Sequence, residues 1–368
     1  MNTTLIPETD ILKTIQNGIK VINGYLVKDF LGSGSFSKVK LLEKNGEHYA
    51  VKIINKKQLR SKKKGFGFMN KNGNFEVNTL LEEAMREIAI LKKINHQNIV
   101  RLHEIIQDDT KDKVYLILDY CNRGTLLSLN DDDNTFIVNP NITKNTFYTE
   151  DQIRDMTRDI VMAIDYLHMH GIIHRDIKPD NILIDDFNHC KLTDFNVSAM
   201  LENVNDDNVG KKIEGTDSFR APECCGDTEE SKDLRGKPLD IWALGVTCYL
   251  LAYLDLPFKA ENEWDTLGLF DTIAKAEFTF RDDKRHMSNG FKEFIRKCFE
   301  KEPNKRITIE EIKELEWINE KRTPLREMKH PEKIFVTDEE IGKCASFFVS
   351  VGILKKLANT WKNHAGME

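Results

Sequence analysis

A short stretch in the middle of the chain carries three side chains suited to one reaction. Asp176 offers a carboxylate, Lys178 follows two positions later with an ammonium group, and Asn181 adds an amide oxygen three positions further on. Transfer of a phosphoryl group from a nucleotide needs a carboxylate to orient the acceptor hydroxyl, a cation on the moving group and a neutral oxygen ligand for a metal ion. The stretch 174–181 therefore predicts a phosphoryl-transfer loop.

Two packed elements are expected to hold this loop in place. A helical pattern with apolar residues every three to four positions runs from Ile153 to His168. A short apolar strand, Ile182–Ile184, follows the loop. A loop fixed at both ends keeps its polar groups at defined positions, which a transfer reaction requires.

A glycine-rich turn lies near the start of the chain. Gly32 and Gly34 join two strand patterns, and Lys52 lies on the next strand, 18 residues after Gly34. A Gly-x-Gly turn alone is weak evidence, since a flexible hairpin has the same composition, and a dinucleotide-binding turn would join a strand to a helix. A helical pattern over 80–91 then places Glu87 where its carboxylate can pair with Lys52.

The composition is that of an ordinary globular chain. Of its 368 residues, 40% are hydrophobic and 31% are charged, and the formal net charge is −6. This charge does not favour nucleic acid as the main partner, and no apolar run approaches the roughly 18 residues of a membrane span. Seven scattered cysteines and an N-terminus without an export signal predict reduced thiols and a cytoplasmic location.

Taken together and in order, these segments resemble the eukaryotic protein kinases. The series continues with Asp194 in Asp-Phe-Asn, Glu223 in Ala-Pro-Glu, then Asp240 and Arg306. The resemblance implies an α+β, bilobal protein kinase fold with a small β-rich N-lobe and a large helical C-lobe.

The expected domain boundaries follow from the same resemblance. A kinase domain is expected over 23–320, with the N-lobe at about 23–121 and the C-lobe at about 122–320. Residues 1–22 are expected to form an N-terminal tail with weak helical periodicity at positions 11, 12 and 15. Residues 321–368 are expected to be a C-terminal regulatory segment.

The resemblance assigns catalytic roles to the matching residues. Asp176 is expected to orient the acceptor hydroxyl with help from Thr216, and Lys178 to neutralise the transferred phosphoryl group. Lys52, held by Glu87, is expected to position the triphosphate. A lysine two positions after the catalytic aspartate is typical of kinases that act on serine and threonine.

The same resemblance implies ATP and Mg²⁺ as cofactors. Asn181 and Asp194 are the expected metal ligands. The residues expected to bind the nucleotide are Leu31, Gly32, Gly34, Val39, Ala50, Lys52, Leu118, Asp119, Cys121, Leu183 and Asp194. Among them, Leu118 would lie at the back of the pocket, and the hinge that begins at Asp119 would meet adenine through its backbone.

Two positions depart from the kinase pattern. Ser37 replaces the third glycine of the turn, and Asn196 stands where the pattern has a glycine. Asn is the non-glycine residue best able to take the left-handed conformation, so we expect the turn at 196 to survive. All four ionic or metal-binding groups are present, which favours an active enzyme. A nucleotide-binding, pseudokinase-like scaffold with weak or no catalysis is the alternative.

Three stretches resemble the calcium/calmodulin-dependent protein kinase kinases. They are residues 86–96, the long insert between Lys52 and Glu87, and residues 336–341 with the apolar and basic segment that follows. This resemblance implies an upstream kinase that phosphorylates the activation-segment threonine of a downstream kinase of the calmodulin-dependent or AMP-activated type. The basic part of the insert, 55–79, is expected to be a solvated surface loop.

The C-terminal segment has two interpretations. Thr337 and Glu340 form a capping-box pattern, and bulky apolar residues with lysines follow in 346–363. A basic amphipathic helix with large residues near both ends suits calmodulin. The alternative is a helix that docks on the kinase domain without calmodulin.

Arg175, next to the catalytic aspartate, is expected to bind an anion, often a phosphorylated residue of the activation segment. Ser198 is the only hydroxyl residue in 194–215 and lies too near its start to serve. The carboxylates of Asp206, Asp207 and Glu214 are available instead. We therefore predict activity without phosphorylation of this segment.

Overall fold

A computed structural model of the chain describes residues 6–34, 37–61, 68–69, 75–76, 80–130, 135–201, 207–209, 214–226, 234–262, 264–325, 340 and 344. These residues form two compact units. Unit 1 comprises the described residues up to Asn95, Arg101–Tyr120, and residues 340 and 344. Unit 2 comprises His96–Val100 and the described residues from 121 to 325. A β-rich first unit and a helical second unit confirm the expected protein kinase fold class.

Unit 1 is built on one eight-stranded sheet. The strands are β1 (Glu8–Asp10), β2 (Lys13–Gln16), β3 (Ile19–Ile22), β4 (Tyr25–Ser33), β5 (Ser37–Lys44), β6 (Glu47–Asn55), β9 (Leu102–Asp108) and β10 (Lys113–Asp119). A separate short pair is formed by β7 (Phe68–Met69) and β8 (Phe75–Glu76), and the helices are α1 (Lys56–Ser61) and α2 (Leu80–Leu91). The strand order in the sheet is β1-β9-β10-β6-β5-β4-β3-β2.

This sheet curls almost into a barrel. β1 and β2 lie at opposite edges of the sheet, yet only Ile11 and Leu12 separate them in the chain. Three residue steps from Asp10 to Lys13 span at most about 11 Å, so the two edges must come close together. Asn23, which follows β3, binds β1, because its Nδ2 donates to Thr9 Oγ1 at 2.9 Å and to the Asp10 carbonyl at 3.0 Å.

The expected tail over 1–22 was wrong for residues 8–22, which form β1, β2 and β3. The periodicity at positions 11, 12 and 15 did not mark a helix, since Leu12 and Ile15 are 66% and 79% exposed. Ile22 is buried in the barrel core, and Ile11 packs against that core. Burial of these two side chains favours strands that complete the sheet.

The turns of unit 1 follow their sequence signals. Asn45 and Gly46 join β5 to β6 with φ angles of 55° and 82°. Both residues tolerate positive φ, which a tight hairpin turn requires. The expected solvated loop over 55–79 was wrong at its start, because Lys56 begins α1, is only 3% exposed and pairs with Asp109 at 2.8 Å.

Unit 2 is mainly helical. Its helices are α3 (Glu150–Met169), α4 (Gly236–Tyr253), α5 (Thr266–Lys275), α6 (Asn289–Cys298), α7 (Ile309–Glu314) and α8 (Glu316–Asn319). Its short strands are β11 (Gly124–Thr125), β12 (Leu127–Leu129), β13 (Phe136–Val138), β14 (Ile172–Ile173), β15 (Ile182–Ile184), β16 (Cys190–Leu192) and β17 (Ala199–Met200). Across the described ranges, no helix is both long enough and apolar enough to span a membrane.

Two helices form the support for the central loop of unit 2. α3 begins with a capping box in which Thr149 and Gln152 satisfy each other's backbone N–H groups. α4 is buried around nearly its whole circumference, as expected for a core helix. α3 packs against α4, and the loop 174–181 lies between β14 and β15.

Candidate active site

Three polar side chains of unit 2 form one hydrogen-bonded group. Thr216 Oγ1 donates to Asp176 Oδ1 at 2.7 Å, and the Thr216 N–H donates to the same oxygen at 3.1 Å. Lys178 Nζ donates to Thr216 Oγ1 at 2.6 Å and lies 2.9 Å from Asp176 Oδ2. The structure thus brings together the predicted catalytic aspartate, lysine and threonine, although 40 positions separate Asp176 from Thr216.

This group controls the charge of Asp176. Burial by itself raises the pKa of the carboxyl, but the hydrogen bonds from Thr216 and Lys178 and the charge of Lys178 outweigh burial and lower the pKa below its ordinary value. The Asp176 side chain is 14% exposed, so its carboxylate remains accessible. An ionised, accessible carboxylate can accept a hydrogen bond from an acceptor hydroxyl.

Gly215 permits the close approach of these two segments. A Cβ atom at this position would lie 2.4 Å from the carbonyl oxygen of Arg175, and the φ angle is 97°. Side chains rarely adopt this backbone conformation, and no Cβ fits at this distance. The glycine therefore lets Thr216 reach Asp176.

A buried carboxylate of α4 is hydrogen-bonded to the backbone of the catalytic loop. Asp240 is fully buried, and its oxygens accept hydrogen bonds from the backbone N–H groups of His174 at 2.9 Å and Arg175 at 2.8 Å. His168 Nε2 of α3 lies 2.8 Å from the same carboxylate. The loop is thereby tied to both core helices, with Arg175 at a φ of 66°.

The predicted metal ligands, Asn181 and Asp194, both lie in unit 2. Asn181 Nδ2 donates to the Asp176 backbone carbonyl and to Asp176 Oδ2, each at 2.8 Å. Within the described part of the chain, Asn181 Oδ1 accepts no hydrogen bond and remains available. An amide oxygen and a carboxylate are the hard oxygen ligands that Mg²⁺ prefers, so these residues fit the metal.

Asp194 is held by contacts of its neighbours. His174 Nε2 lies 3.1 Å from the Thr193 carbonyl, and the rings of His174 and Phe195 pack edge to face with centroids 5.1 Å apart. Asp194 itself has a φ of 67°, a conformation that Asp tolerates better than most residues. The expected left-handed turn at Asn196 is wrong, because the positive φ falls at Asp194 and Asn196 has none. The missing glycine therefore causes no strain here.

In unit 1, Lys52 pairs with Glu87. Lys52 Nζ on β6 lies 2.5 Å from Glu87 Oε1 on α2, and the Glu87 side chain is only 3% exposed. Val39 and Leu116 face Lys52 from the neighbouring strands, and Leu118 faces Ala50. Because residues directly opposite in a sheet share a face, Val39, Ala50, Lys52 and Leu118 line one face of the sheet. All four belong to the set expected to bind the nucleotide.

The rest of the predicted nucleotide set is divided between the units. Unit 1 also contains Leu31, Gly32 and Gly34 of the turn and Asp119, whose carboxylate accepts from His103 at 2.7 Å and from Arg101 N at 3.2 Å. Unit 2 contains Cys121, Leu183 and Asp194. The Gly34 N–H donates to the Ser37 carbonyl at 3.0 Å.

Arg175 has a carboxylate partner in the activation segment. Its guanidinium lies 2.6 Å from Glu214 Oε2, and its Nε donates to the Val197 carbonyl at 2.7 Å. Both side chains of the ion pair are less than 10% exposed. Asp207 pairs instead with Arg235 at 2.8 Å. Asp206 lies outside the described residues.

A second buried ion pair fixes the end of the activation segment. Arg306 binds Glu223 through two parallel hydrogen bonds of 2.7 and 2.8 Å, and Arg306 also donates to the Pro238 carbonyl at the start of α4. Removing one member would leave an uncompensated buried charge. The pair connects the end of the activation segment to the start of α4.

Comparison with known proteins decides the family. The family model described as protein kinase domain matches residues 25–318. The chain belongs to the protein kinase family. Its curated relatives are named as serine/threonine kinases, which places this kinase in the serine/threonine branch.

Three of these relatives show how far the similarity extends. A probable serine/threonine-protein kinase of Dictyostelium discoideum is 34% identical over 332 residues, which are 89% of this chain and 43% of the relative. Serine/threonine-protein kinase ssp1 of Schizosaccharomyces pombe is 35% identical over 86% of this chain and 45% of its own length. Serine/threonine-protein kinase TOS3 of Saccharomyces cerevisiae is 33% identical over 84% and 56%. This kinase chain thus spans about half the length of these relatives.

Sequence reasoning missed three residues that build the kinase site. Asp240 accepts hydrogen bonds from the catalytic loop directly, a contact that the sequence did not predict. Gly215 and His174 join the loop to Thr216 and to the Asp194 segment. A glycine directly before Thr216 was a usable signal for close approach. No local signal could have revealed the contacts of Asp240.

Proposed function

We propose that this chain transfers the γ-phosphoryl group of ATP to serine or threonine hydroxyls, with Mg²⁺ as cofactor. The hydrogen-bonded group of Asp176, Thr216 and Lys178 carries the proposal, because it combines an ionised carboxylate with a cation at one point. Bound Mg²⁺ would neutralise charge on the phosphates.

Each residue has a defined task in this reaction. Asp176 orients the acceptor hydroxyl and accepts its proton, while Lys178 offsets negative charge on the transferred group. Thr216 is hydrogen-bonded to both side chains and fixes their relative positions. Asn181 and Asp194 would hold the metal, and the Lys52–Glu87 pair would position the triphosphate.

The scaffold alternative is not favoured. The residues of a functional kinase are all present, and the departures at Ser37 and Asn196 remove no catalytic side chain. The backbone hydrogen bond at Gly34 and the lack of a positive φ at Asn196 support structural tolerance of both departures.

The finer assignment is an upstream kinase of the calcium/calmodulin-dependent protein kinase kinase type. The motifs in 86–96, the insert and 336–341 support it. The proposed substrate is the activation-segment threonine of a downstream kinase of the calmodulin-dependent or AMP-activated type. The proposed location is cytoplasmic, which seven free cysteines support.

Calmodulin is a proposed partner through 346–363, which lies outside the described residues. Two residues just before it favour the alternative of a docked segment. Glu340 pairs with Lys93 at 2.7 Å, and Cys344 is only 2% exposed in unit 1, where burial raises the pKa of its thiol to about 11. Docking and calmodulin binding are compatible if calmodulin displaces the segment. A phosphate-transfer rate that rises when calcium and calmodulin are added would support displacement of the docked segment by calmodulin.

The first test replaces the proposed catalytic carboxylate. Asp176→Asn should lower phosphate transfer by at least about a hundredfold, because an amide cannot accept the proton. ATP binding, measured by calorimetry, should be retained. The matched control is Asp180→Asn, which makes the same change at an exposed position of the same loop. Retained turnover in Asp176→Asn would refute the assignment.

The second test identifies the substrate class. Inactive kinases of the calmodulin-dependent and AMP-activated types are incubated with the chain and Mg-ATP, with and without calcium and calmodulin. Phosphate should appear on the activation-segment threonine, and its replacement by alanine in the substrate should remove the signal. Transfer only to unrelated proteins would overturn the upstream-kinase proposal while leaving the kinase activity intact.

We also propose that activity does not require phosphorylation of the activation segment. Glu214 already supplies the carboxylate that Arg175 binds. Phosphatase-treated protein should keep its rate, whereas Glu214→Gln should be slower because the arginine loses its charged partner. Loss of nearly all activity after phosphatase treatment would contradict this.

A further inference from the structure

A basic pocket opens on unit 1 and is separate from the proposed nucleotide face. Its volume is about 530 Å³, and four lysines line it: Lys20, Lys38, Lys40 and Lys113. Buried apolar parts of Ile22, Val51 and Tyr115 form its floor. The lysines come from β3, β5 and β10, which the curvature of the sheet brings together. The pocket is therefore a feature of the curled sheet and not of one segment.

The strand register places this pocket on the opposite face from Lys52. Lys38 faces Ile53, and Lys40 faces Val51, whereas Val39 faces Lys52. Successive side chains of a strand point to opposite faces. The glycine-rich turn contributes to the pocket rim, since Ser33, Gly34 and Ser37 also line it.

The positive charge of the pocket has no carboxylate partner among the described residues. Within the ranges that the structure describes, none of the four lysines has an ion pair, and no carboxylate lines the pocket. The nearby carboxylate of Asp108 is already bound by Lys13. The pKa of Lys20 is lowered by partial burial and by repulsion from neighbouring lysines, namely Lys13, Lys111, Lys113 and Lys40. Converging like charges destabilise one another, and a bound anion would relieve this repulsion.

We propose that this pocket binds a compact, polyphosphorylated anion. Lysine ammonium groups bind phosphate oxygens as point charges, and four of them around one cavity suit a ligand that carries several phosphates close together. An acidic peptide fits less well, because an extended chain separates successive carboxylates by about 3.5 Å per residue and spreads its charge over a larger surface. The phosphates can belong to a free molecule or to a lipid headgroup, which share this chemistry.

Calorimetric titration of the full chain with inositol hexakisphosphate tests the proposal. Binding should be saturable, with one molecule per chain, and should weaken as salt concentration rises. The double variant Lys40→Gln/Lys113→Gln should weaken binding by roughly tenfold or more, because it removes two of the four charges. Vesicles of phosphatidylcholine with and without phosphatidylinositol bisphosphate then show whether a headgroup can also supply the phosphates.

Two further variants make the result specific. Lys275→Gln/Lys297→Gln removes the same charge from exposed surface pairs of unit 2 and should leave the affinity unchanged. Lys52→Met should also retain binding, since Lys52 lies on the other face of the sheet. Thermal unfolding confirms that each variant is folded. Absence of binding, an equal loss in the unit 2 control, or a loss in Lys52→Met would overturn the proposal.

Discussion

At the scale of single residues, the site depends on how neighbours set the charge of Asp176. A fully exposed carboxylate would be ionised at neutral pH in any case. The hydrogen bonds from Thr216 and Lys178 add a fixed orientation and a lowered pKa. Orientation matters because the acceptor hydroxyl must meet one particular oxygen. Thr216 is therefore a positioning residue, which acts through Asp176.

Thr216→Val tests this role through the pH dependence of the rate. Asp176 has a lowered pKa in the folded protein, so activity is present above that pKa and is lost as pH falls through it. Removing the hydroxyl donor raises the pKa, and the acidic limb of the kcat profile should move to higher pH. The rate at neutral pH should fall by about tenfold, as expected for a lost hydrogen bond to a charged group.

Thr216→Ser is the control, since it keeps the hydroxyl. It should retain the wild-type acidic limb and most of the rate. If the valine variant has the same acidic limb as the wild type, Thr216 does not set the charge of Asp176.

At the scale of elements, the catalytic loop is positioned by α4 and not by its own turn sequence. Asp240 accepts hydrogen bonds from two consecutive backbone N–H groups of the loop, at His174 and Arg175. The carboxylate is fully buried, so these bonds are shielded from water and salt. These hydrogen bonds attach the residues directly before Asp176 to the buried helix, which restricts the movement of Asp176.

Asp240→Asn should disturb the loop without removing any group that touches substrate. An amide carries no charge and has only one acceptor oxygen, so one of the two N–H groups loses its partner. A displacement of about 1 Å can lower kcat by on the order of a hundredfold. We expect kcat to fall by up to that amount, with little change in the KM for ATP.

Steady-state kinetics and thermal unfolding check this prediction together. The protein should remain folded at the assay temperature, and Asp282→Asn, a half-exposed carboxylate of unit 2, should leave kcat unchanged. A lowered melting temperature with an unaltered kcat would show that Asp240 serves only the general stability of the fold.

At the scale of whole compact units, unit 1 is completed by its first strands. β1 pairs with β9, and β2 lies at the other edge of the sheet beside β3. Lys13 of β2 reaches the buried carboxylate of Asp108 at the end of β9. This ion pair joins β2, at one edge of the curled sheet, to β9, the neighbour of the other edge strand β1. Thr110 and the Lys111 N–H also donate to Asp108.

Asp108→Asn tests the contribution of this junction to stability. Burial raises the pKa of Asp108, but the hydrogen bonds from Lys13, Thr110 and Lys111 lower it from 3.8 to about 2. Because its pKa is lower in the folded state than in the unfolded state, the ionised carboxylate stabilises the fold at pH values above 3.8. This stabilisation is lost as the pH falls toward about 2. The variant should cost on the order of 2 kcal/mol at pH 7, and its deficit should shrink between about pH 5 and pH 3.

Thermal unfolding across this pH range provides the measurement. Asp271→Asn, which removes an exposed carboxylate of unit 2, should change the melting temperature little at any pH. A deficit for Asp108→Asn that stays constant with pH would show that the carboxylate charge does not stabilise the sheet.

The order of the chemical groups was predictable from the sequence. Asp176, Lys178 and Asn181 lie within six residues of one another, and Lys52, Glu87 and Asp194 follow from the same kinase pattern. Strands β4 to β6 and helices α2 and α3 were likewise predictable, because their turns and periodicities are local. The relative positions of side chains that are close in the sequence are determined by the local loop or strand geometry. The spacing of these residues therefore predicts which reaction they can support.

Only the tertiary structure decided which distant residues support these groups. It showed Asp240 beneath the loop, Gly215 against Arg175, Glu214 beside Arg175 and the first strands closing the sheet. Each of these contacts joins residues that are tens of positions apart in the chain. Such contacts depend on packing and burial across the fold, and they leave no periodic trace in the sequence. The order of residues in the sequence therefore identifies the chemical groups of the site. The tertiary structure determines which distant residues hold those groups in position.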